Sequence, residues 1–305
     1  VEFSLNAQII DSSSWKWSVS GNIGVNRNEI SDLGLLPADF GCLGERVGYY
    51  GNSLGDHFGV GHIFLAGEAP GLFYGYVTQG IVQKEDITEN GIKYIKQDGS
   101  VGYYQTVNKT TPVAGDVKYV DRNGDGVVDD NDRDIIGNPN PDFTYGFQTK
   151  VSWKSLSLSA SFNGVQGRDI LNVGNRYNNT PGTKSNNVTR KAFQNMWTDE
   201  NPSNLYPKST FVVQNMVMDR YVEDGSYLRC SDITLSYVLP AKWTNKIGIK
   251  NTSVYASVKN AFVITDYSGY DPEVNSFAFD GLRPGVDMNS YPTPRSFVFG
   301  LNLTF

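Results

Sequence analysis

The sequence predicts an all-β chain that forms part of an antiparallel transmembrane β-barrel with long extracellular loops, and three observations lead to this fold class. Apolar and polar residues alternate with a period of two in about seven segments, several of which have the roughly 9–11 residues that a tilted membrane strand needs. The connections between these segments alternate between short and long. The polar positions within the segments are mostly Ser, Asn, Thr, Gln and Gly, which suit a watery lumen.

The predicted strands follow from this alternation. Apolar residues occupy every second position over residues 3–9 and again over residues 15–25, so the first two segments form a hairpin. The remaining segments lie at residues 143–153, 156–163, 227–239, 254–258 and 297–305. Seven strands would leave two open edges, which lipid does not tolerate, so we expect further strands from sequence outside this chain. The chain also opens on Val1 within an alternating run, which is typical of a fragment.

The connections are of two kinds. Residues 11–14 and 154–155 are tight turns, and residues 240–251 form a connection of medium length. The long connections are residues 31–142, 164–225 and 266–295. An outer-membrane barrel has short periplasmic turns and longer extracellular loops, whereas a soluble sandwich has no reason to sort its loops in this way. We therefore predict that the three long connections are extracellular.

Smaller features refine this plan. Four tryptophans lie at or near the short-turn ends of the strands, where an aromatic girdle would meet the periplasmic interface; they are Trp15, Trp17, Trp153 and Trp243. Within the long connections, residues 72–77 predict a small strand and residues 187–197 predict a short helix. The rest of the region from about residue 30 to residue 140 is rich in glycine and is predicted to be loop.

Composition excludes several classes of function. The 305 residues carry a net charge of −6 and contain no basic cluster, which argues against nucleic acid as a partner. No run of about 18 apolar residues occurs, so no transmembrane helix is predicted. Cys42 and Cys230 lie far apart without metal-ligand spacing, and we expect both to be unpaired. No nucleophile and base form an evident pair, so the chain is not predicted to be an enzyme.

The segment DRNGDGVVDDND, residues 121–132, has the spacing of a calcium loop. Calcium prefers oxygen ligands, and alternating side-chain oxygens before a glycine turn supply them. The predicted ligands are Asp121, Asn123, Asp125, the carbonyl of Val127, Asp129 through a water, and Asp132. We expect a structural calcium ion here; the alternative is a solvated acidic turn.

Two further candidate sites have weaker support. His57 and His62 lie in a glycine-rich region without a set of further ligands at metal spacing. We expect both side chains to be exposed to solvent and not to bind zinc. Phe73, Tyr74 and Tyr76 would form a sugar-stacking platform if they were exposed, but packing within the loop is the favoured interpretation.

Several motifs together resemble the SusC/RagA family of TonB-dependent outer-membrane transporters. The most informative is DRNGDGVVDDNDRDIIGNPNPDFTYGF, which joins the acidic loop to the third predicted strand. The others, in order, are AGEAPGLFYGYVTQGIVQ, FNGVQGRDILN, MWTDENPSNLYP, DGSYLRCSDITLSYVLP and YPTPRSFVFGLNLTF. The resemblance covers nearly all of residues 1–305.

The resemblance implies a fold and a function. It places residues 1–305 in the C-terminal part of a large plugged barrel, with about 22 strands in the whole protein. Such proteins import oligosaccharides or peptides across the bacterial outer membrane, with the barrel embedded in the membrane lipid, a SusD-like surface lipoprotein as a lid and energy from the TonB complex acting on the plug. The plug and the N-terminal remainder of the barrel are expected outside this chain. Phe305 would then be the terminal aromatic that serves as an assembly signal.

Two alternatives stay open from the sequence. One is a secreted, calcium-stabilised β-sandwich that binds glycans, which would be soluble where the barrel needs detergent. The other is a secreted glycosidase, which a turnover assay would reveal. Nothing in the residues decides between oligosaccharide and peptide as cargo.

Overall fold

The computed structural model describes residues 1–34, 48–51, 54, 59–180, 187–209, 216–244, 249 and 251–304. Its largest element is a seven-stranded antiparallel sheet, named the wall here, in which each strand pairs with the next wall strand along the chain. The wall strands are β1 (Glu2–Asp11), β2 (Trp15–Gly24), β3 (Phe143–Trp153), β4 (Leu156–Gln166), β5 (Tyr227–Val238), β6 (Asn251–Thr265) and β7 (Ser296–Thr304).

Each of the seven alternating segments is a wall strand, and the largest difference from the prediction is in β6. This strand runs well beyond residues 254–258 at both ends. Its alternation is interrupted at Asn260, which has a φ of 51°, and the register with β5 shifts at the same level, between Cys230 and Asp232. The faces of β6 are the same on both sides of this irregularity, since Val258 pairs with Ile233 and Phe262 follows on the same face, with its ring centroid 6.3 Å from that of Phe162.

The register places apolar residues beside apolar residues across all seven strands. Phe147 in β3 lies opposite Gly21 of β2 and Phe162 of β4, while Val254 in β6 lies opposite Tyr237 and Leu301. This side of the wall is named the apolar face; it carries Phe3, Trp17, Phe147, Leu158, Leu235 and Phe299. The opposite side is named the polar face; it carries Asn6, Ser20, Gln148, Ser161, Thr234 and Ser257.

The apolar face is exposed, which rules out the β-sandwich alternative as the observed fold. Phe3 is 62% exposed and Phe299 is 79% exposed. A sandwich would bury these side chains against a second sheet, because an apolar face of this size is not stable in water. An apolar outside with a polar inside is the arrangement of a membrane barrel.

The wall has a short-turn end and a long-loop end. At the short-turn end, residues 12–14, 154–155 and 239–250 connect consecutive strands, and Lys154 adopts a φ of 51° in the tightest of these turns. At the other end, three long loops connect the strands: the first loop (25–142), the second loop (167–226) and the third loop (266–295). The two kinds of connection therefore lie at opposite ends of the wall.

The long loops contain much more regular structure than the sequence predicts. Their small strands are Gly48–Gly51, His62–Leu65, Leu72–Tyr76, Thr78–Ile81, Ile87–Thr88, Gly91–Ile95, Val101–Tyr104, Thr106–Val107, Val117–Tyr119, Val127–Val128, Arg133–Gly137, Asp169–Asn172, Val222–Asp224 and Val286–Asp287. The helices are α1 (Val173–Asn179), α2 (Arg190–Asn195) and, at the short-turn end, α3 (Ala241–Thr244), with 3-10 turns at Lys84–Asp86, Asp130–Asp132 and Asp219–Tyr221. The predicted strand at 72–77 and the predicted helix at 187–197 are both present. The expectation that the remaining glycine-rich region is loop is wrong, because its short segments pair with one another, some locally, as Gly91–Ile95 with Val101–Tyr104, and some at a distance, as Leu72–Tyr76 with Arg133–Gly137.

The hydrophobic core lies in the long loops rather than in the wall. Its largest cluster contains Tyr76, Tyr94 and Tyr119 of the first loop together with Met218 of the second loop. A second cluster joins all three loops; its buried members are Leu54, Phe73, Leu171, Val173, Val217 and Val286. We name the described part of the three loops the loop cap, because buried clusters join the loops to one another.

No helix within the described residues is long and apolar enough to cross a membrane.

Candidate functional site

The acidic loop, residues 121–132, lies within the loop cap and is held in place by two strand pairings. Val127–Val128 pairs with Thr106–Val107 inside the loop, and Arg133–Gly137 pairs with Leu72–Tyr76 just after it. Gly124 and Gly126 have φ values of 77° and 86°, a backbone conformation that side chains disfavour. The sharp turn expected at the sixth position of a calcium loop is therefore present at Gly126.

The first and last carboxylates of the loop point into its interior. Asp121 accepts hydrogen bonds from the amide of Gly124 at 2.6 Å and from the amide of Gly126 at 2.8 Å. Asp132 accepts from the amide of Arg122 at 2.7 Å and from the amide of Asp129 at 2.8 Å. Asp121 is 3% exposed and Asp132 is fully buried, so the two carboxylates are buried beside each other.

The two carboxylates have no salt-bridge partner among the residues that the structure describes. Arg122 pairs with Asp134 instead, and Arg133 pairs with Asp130 at 2.8 Å. Burial raises the pKa of Asp132; backbone hydrogen bonds oppose this increase, and the neighbouring charge of Asp121 adds to it. Buried charges in proteins are normally paired or bound to metal, so this pair fits a site for a cation.

The other predicted ligands are arranged differently. Asn123 accepts a hydrogen bond from the amide of Asp125 at 2.9 Å and donates its side-chain amide to Asp125 at 3.0 Å. Asp129 accepts from the amide of Asn131 at 2.9 Å and caps the following 3-10 turn. In the described part of the chain, no three His, Cys, Asp or Glu side chains are grouped as a metal site. The donor types fit calcium, and the calcium assignment stays a prediction.

The aromatic residues of the first loop pack inside the cap. Phe73, Tyr74 and Tyr76 are at most 5% exposed. Tyr76 donates a hydrogen bond to Asp130 at 2.9 Å and packs edge-on against Tyr119 at 5.9 Å between ring centroids. Burial raises the pKa of Tyr76 to about 12. These rings are not available to stack on a sugar.

His62 does not face solvent as the sequence suggests. It is fully buried in His62–Leu65, its Nε2 lies 3.0 Å from the carbonyl oxygen of Pro284, and its ring centroid lies 5.3 Å from that of Phe73. Burial lowers its pKa, so the ring is neutral near pH 7. Its contact with Pro284 joins the first loop to the third, which glycine content alone does not indicate.

Some predicted positions lie outside the described residues, namely His57, Cys42 and Phe305. Cys230 is described, and it is a buried free thiol.

Aromatic residues lie at the short-turn end of the apolar face, where the girdle is predicted. Trp15 and Trp153 occupy opposed positions on β2 and β3, with ring centroids 5.9 Å apart. Trp17 donates its indole N–H to the hydroxyl of Thr149 at 3.0 Å. Trp243 in α3 is 66% exposed. Amphipathic rings of this kind favour the boundary between lipid and water.

The polar face carries hydroxyl and amide groups and few charges. One group of side chains joins β5 and β6: Asp232 lies 2.7 Å from the ammonium of Lys259 and accepts a hydrogen bond from Ser257 at 2.6 Å. These residues were not singled out from sequence, because the partners lie on separate strands and carry no local motif. A surface of this composition can hydrogen-bond a hydrated, neutral solute.

Comparisons with known proteins agree with this architecture. No protein-family model matches the chain. TonB-dependent receptor P26 of Formosa agariphila is 30% identical over 313 residues, and TonB-dependent receptor SusC of Bacteroides thetaiotaomicron is 31% identical over 314 residues. Both alignments include the whole of this chain and cover 28% and 26%, respectively, of the relatives.

A solved structure shares the fold. One chain of the RagAB peptide importer in its open-open state superposes with a TM-score of 0.68 at 26% sequence identity, covering 100% of this chain and 28% of that one. This chain thus spans a little over a quarter of the length of the proteins that it matches. The wall is part of a large transmembrane β-barrel of the outer membrane, and the chain belongs to the SusC/RagA family of TonB-dependent receptors.

Proposed function

We propose that this chain contributes wall strands and the loop cap to an importer of oligosaccharides or peptides in the bacterial outer membrane. The observation that carries the proposal is the register of the wall, which keeps one face apolar and the other polar across seven strands. Such a wall separates lipid from a hydrated passage. The relatives are named as receptors and as an importer, which supports transport rather than catalysis.

The cargo class follows from chemistry and from the relatives. Hydroxyl and amide groups on the polar face can form hydrogen bonds with a hydrophilic solute in place of water. Because this face has few fixed charges, it would not bind such a solute tightly. RagAB is named as a peptide importer, which favours peptide. The family resemblance of the sequence motifs keeps oligosaccharide as the second class.

A lid and an energy source complete the proposal. The resemblance to the SusC/RagA family implies a lid, and we infer that a SusD-like surface lipoprotein covers the long-loop end of this receptor, as the likeness to the RagAB peptide importer supports. The receptors among the relatives are TonB-dependent, so we infer that the TonB complex drives transport through a plug contributed by the rest of the protein.

A structural calcium ion in the acidic loop belongs to this proposal. Its support is the buried pair Asp121 and Asp132, which has no cationic partner among the described residues, together with the turn at Gly126. Calcium would supply the missing positive charge and fix the loop, without a direct part in transport.

Deletion of the gene for the full-length receptor tests the function. The deletion strain should lose growth on a mixture of peptides or on a mixture of oligosaccharides as sole carbon source, and restoration of the gene should recover it. Purification of the tagged receptor should yield one lipoprotein in equal amount. Normal growth on both mixtures, with no lipoprotein recovered, would contradict the proposal.

A further inference from the structure

The segment Asp271-Pro272-Glu273 of the third loop is seated on the polar face of the wall. Asp271 lies 2.5 Å from the guanidinium of Arg229 in β5, and Glu273 lies 3.3 Å from the Nε of the same arginine. The Arg229 side chain is 6% exposed, that of Asp271 is 8% exposed and that of Glu273 is 33% exposed. We name Arg229, Asp271 and Glu273 the latch.

Each carboxylate of the latch also accepts hydrogen bonds from groups other than Arg229. Asp271 also accepts hydrogen bonds from the amide of Glu273 and from the amide of Thr293, both at 3.0 Å. Because Thr293 lies near the end of the third loop, Asp271 ties the two ends of the loop together. Burial raises the pKa of Asp271, but these backbone bonds and Arg229 outweigh burial and hold its pKa below its usual value.

Glu273 connects the loop to two wall strands. Its carboxylate accepts from Asn163 of β4 at 2.9 Å and from the hydroxyl of Tyr227 of β5 at 2.8 Å. Arg168, just beyond β4, donates to the carbonyl oxygen of Pro272. The third loop is therefore bound to wall residues from both sides of the Asp-Pro-Glu segment.

The register shows on which side of the wall the latch lies. Asn163 pairs with Gly146 on one side and with Arg229 on the other, and Gly146 also pairs with Asn22 of β2. Asn163 is two residues from Ser161 along β4, so it shares the polar face. The third loop is consequently folded inward, over the face that lines the passage.

The chemistry of the latch favours a positioning role. A buried ion pair contributes little net stability compared with apolar side chains of similar size, while loss of one partner leaves an uncompensated charge. Such pairs are best attested as devices that fix a register. Other contacts connect the third loop to the first and second loops of the cap. Val286–Asp287 pairs with Asp169–Asn172, and Pro284 contacts His62.

We propose that the latch holds the third loop across the polar face at the long-loop end, so that the loop narrows the entrance to the passage and release of the latch widens it. The proposal rests on the proposed transport function, since it assigns a gate to the same passage. Its test uses the full-length receptor and needs no cargo, which separates its failure from failure of the transport assignment.

Hydrogen exchange of the purified receptor tests whether the latch holds the loop. In Arg229→Gln, peptides covering residues 266–276 and 284–293 should exchange at least about tenfold faster than in the wild type, with wall peptides unchanged. Asp271→Asn should act in the same direction, and Arg229→Lys should have a smaller effect because it keeps the charge. Lys16→Gln is the control, since it removes a described ion pair of the polar face, between Lys16 and Asp11, that lies at the short-turn end and away from the third loop.

Labelling on whole cells tests whether the latch narrows the entrance. A Ser161→Cys reporter on the polar face is treated with a polyethylene-glycol maleimide, and receptor without the reporter supplies the background. The reporter should react several times faster beside Arg229→Gln than in the otherwise unchanged receptor, and Lys16→Gln should leave it unchanged. The compact form of each variant on unheated gels confirms that its barrel has folded.

Two results would overturn the proposal. Unchanged exchange in the third loop of a folded Arg229→Gln receptor would show that the latch does not hold the loop. Faster exchange with unchanged labelling of Ser161→Cys would show that the loop does not restrict the entrance.

Discussion

Two buried carboxylates, Asp121 and Asp132, are the residues on which the predicted calcium site in the acidic loop depends most. Backbone amides donate hydrogen bonds to both carboxylates, but each amide carries only a partial positive charge and so neutralises little of the negative charge. A divalent cation between them would offset a repulsion that burial strengthens. The expected consequence is that the loop is more stable with calcium than without it.

Calorimetry of the chelator-treated, full-length receptor checks this expectation. Calcium should bind with a dissociation constant on the order of 10⁻⁴ to 10⁻³ M, as in extracellular modules. At about 100 times that constant, it should stabilise the cap by about 2.7 kcal/mol. Asp121→Asn should abolish the binding heat, whereas Asp130→Asn, a change in the same loop outside the donor set, should preserve it. Binding heat that persists in Asp121→Asn would count against the site.

At this scale the sequence identifies chemistry better than environment. The spacing of Asp121, Gly126 and Asp132 is local, so the turn and the inward carboxylates could be predicted from it. The burial of His62 depends on Phe73 and Pro284, which lie elsewhere in the chain. Likewise, Arg229 lies in β5, while its partners Asp271 and Glu273 lie in the third loop. No local pattern reports a contact between distant segments.

Among the elements, strand β3 gives the sharpest test of which face meets lipid. Phe147 and Gln148 are neighbours near the middle of the strand and lie on opposite faces. Phe147 contacts Phe162 at 6.0 Å between ring centroids, and Gln148 lies opposite Ser20 and Ser161. The same substitution at these two positions should therefore have very different effects.

Arginine at each position makes the comparison. Phe147→Arg in the full-length receptor should lower the free energy of unfolding in liposomes by about 2–4 kcal/mol, because a charge near the bilayer midplane is poorly solvated. Gln148→Arg should change it by less than about 1 kcal/mol, since that side chain faces water. Urea titration of the unheated gel shift measures both. Equal effects at the two positions would contradict the orientation of the wall.

The strands were predictable and the small sheets of the loops were not, for physical reasons. A wall strand such as β3 repeats one constraint over eleven residues, because lipid on one side and water on the other select every side chain. Strands such as Thr106–Val107 and Val127–Val128 have two residues each and pair over a separation that leaves no periodic signal. Their stability comes from the shared core of the cap.

Across the whole molecule, the wall and the loop cap are stabilised by different means. The buried apolar clusters lie in the cap, whereas wall residues such as Phe299 present their side chains outward. A strand that opens in lipid leaves backbone groups without partners, at a cost of several kcal/mol each. A loop that opens into water regains hydrogen bonds from the solvent. The cap should therefore unfold under milder conditions than the wall.

Trp197 makes this difference measurable. It is 7% exposed and donates its indole N–H to Gln83 at 3.1 Å, inside the cap, whereas the other four tryptophans of this chain lie near the short-turn end of the wall. The fluorescence difference between the full-length receptor and Trp197→Phe isolates the signal of the cap. In urea, this difference should disappear at a lower concentration than the one that removes the compact gel form of the barrel. If both changes occurred at the same concentration, cap and wall would be one cooperative unit, and the separate stabilities inferred from their opposite placement of apolar side chains would be wrong.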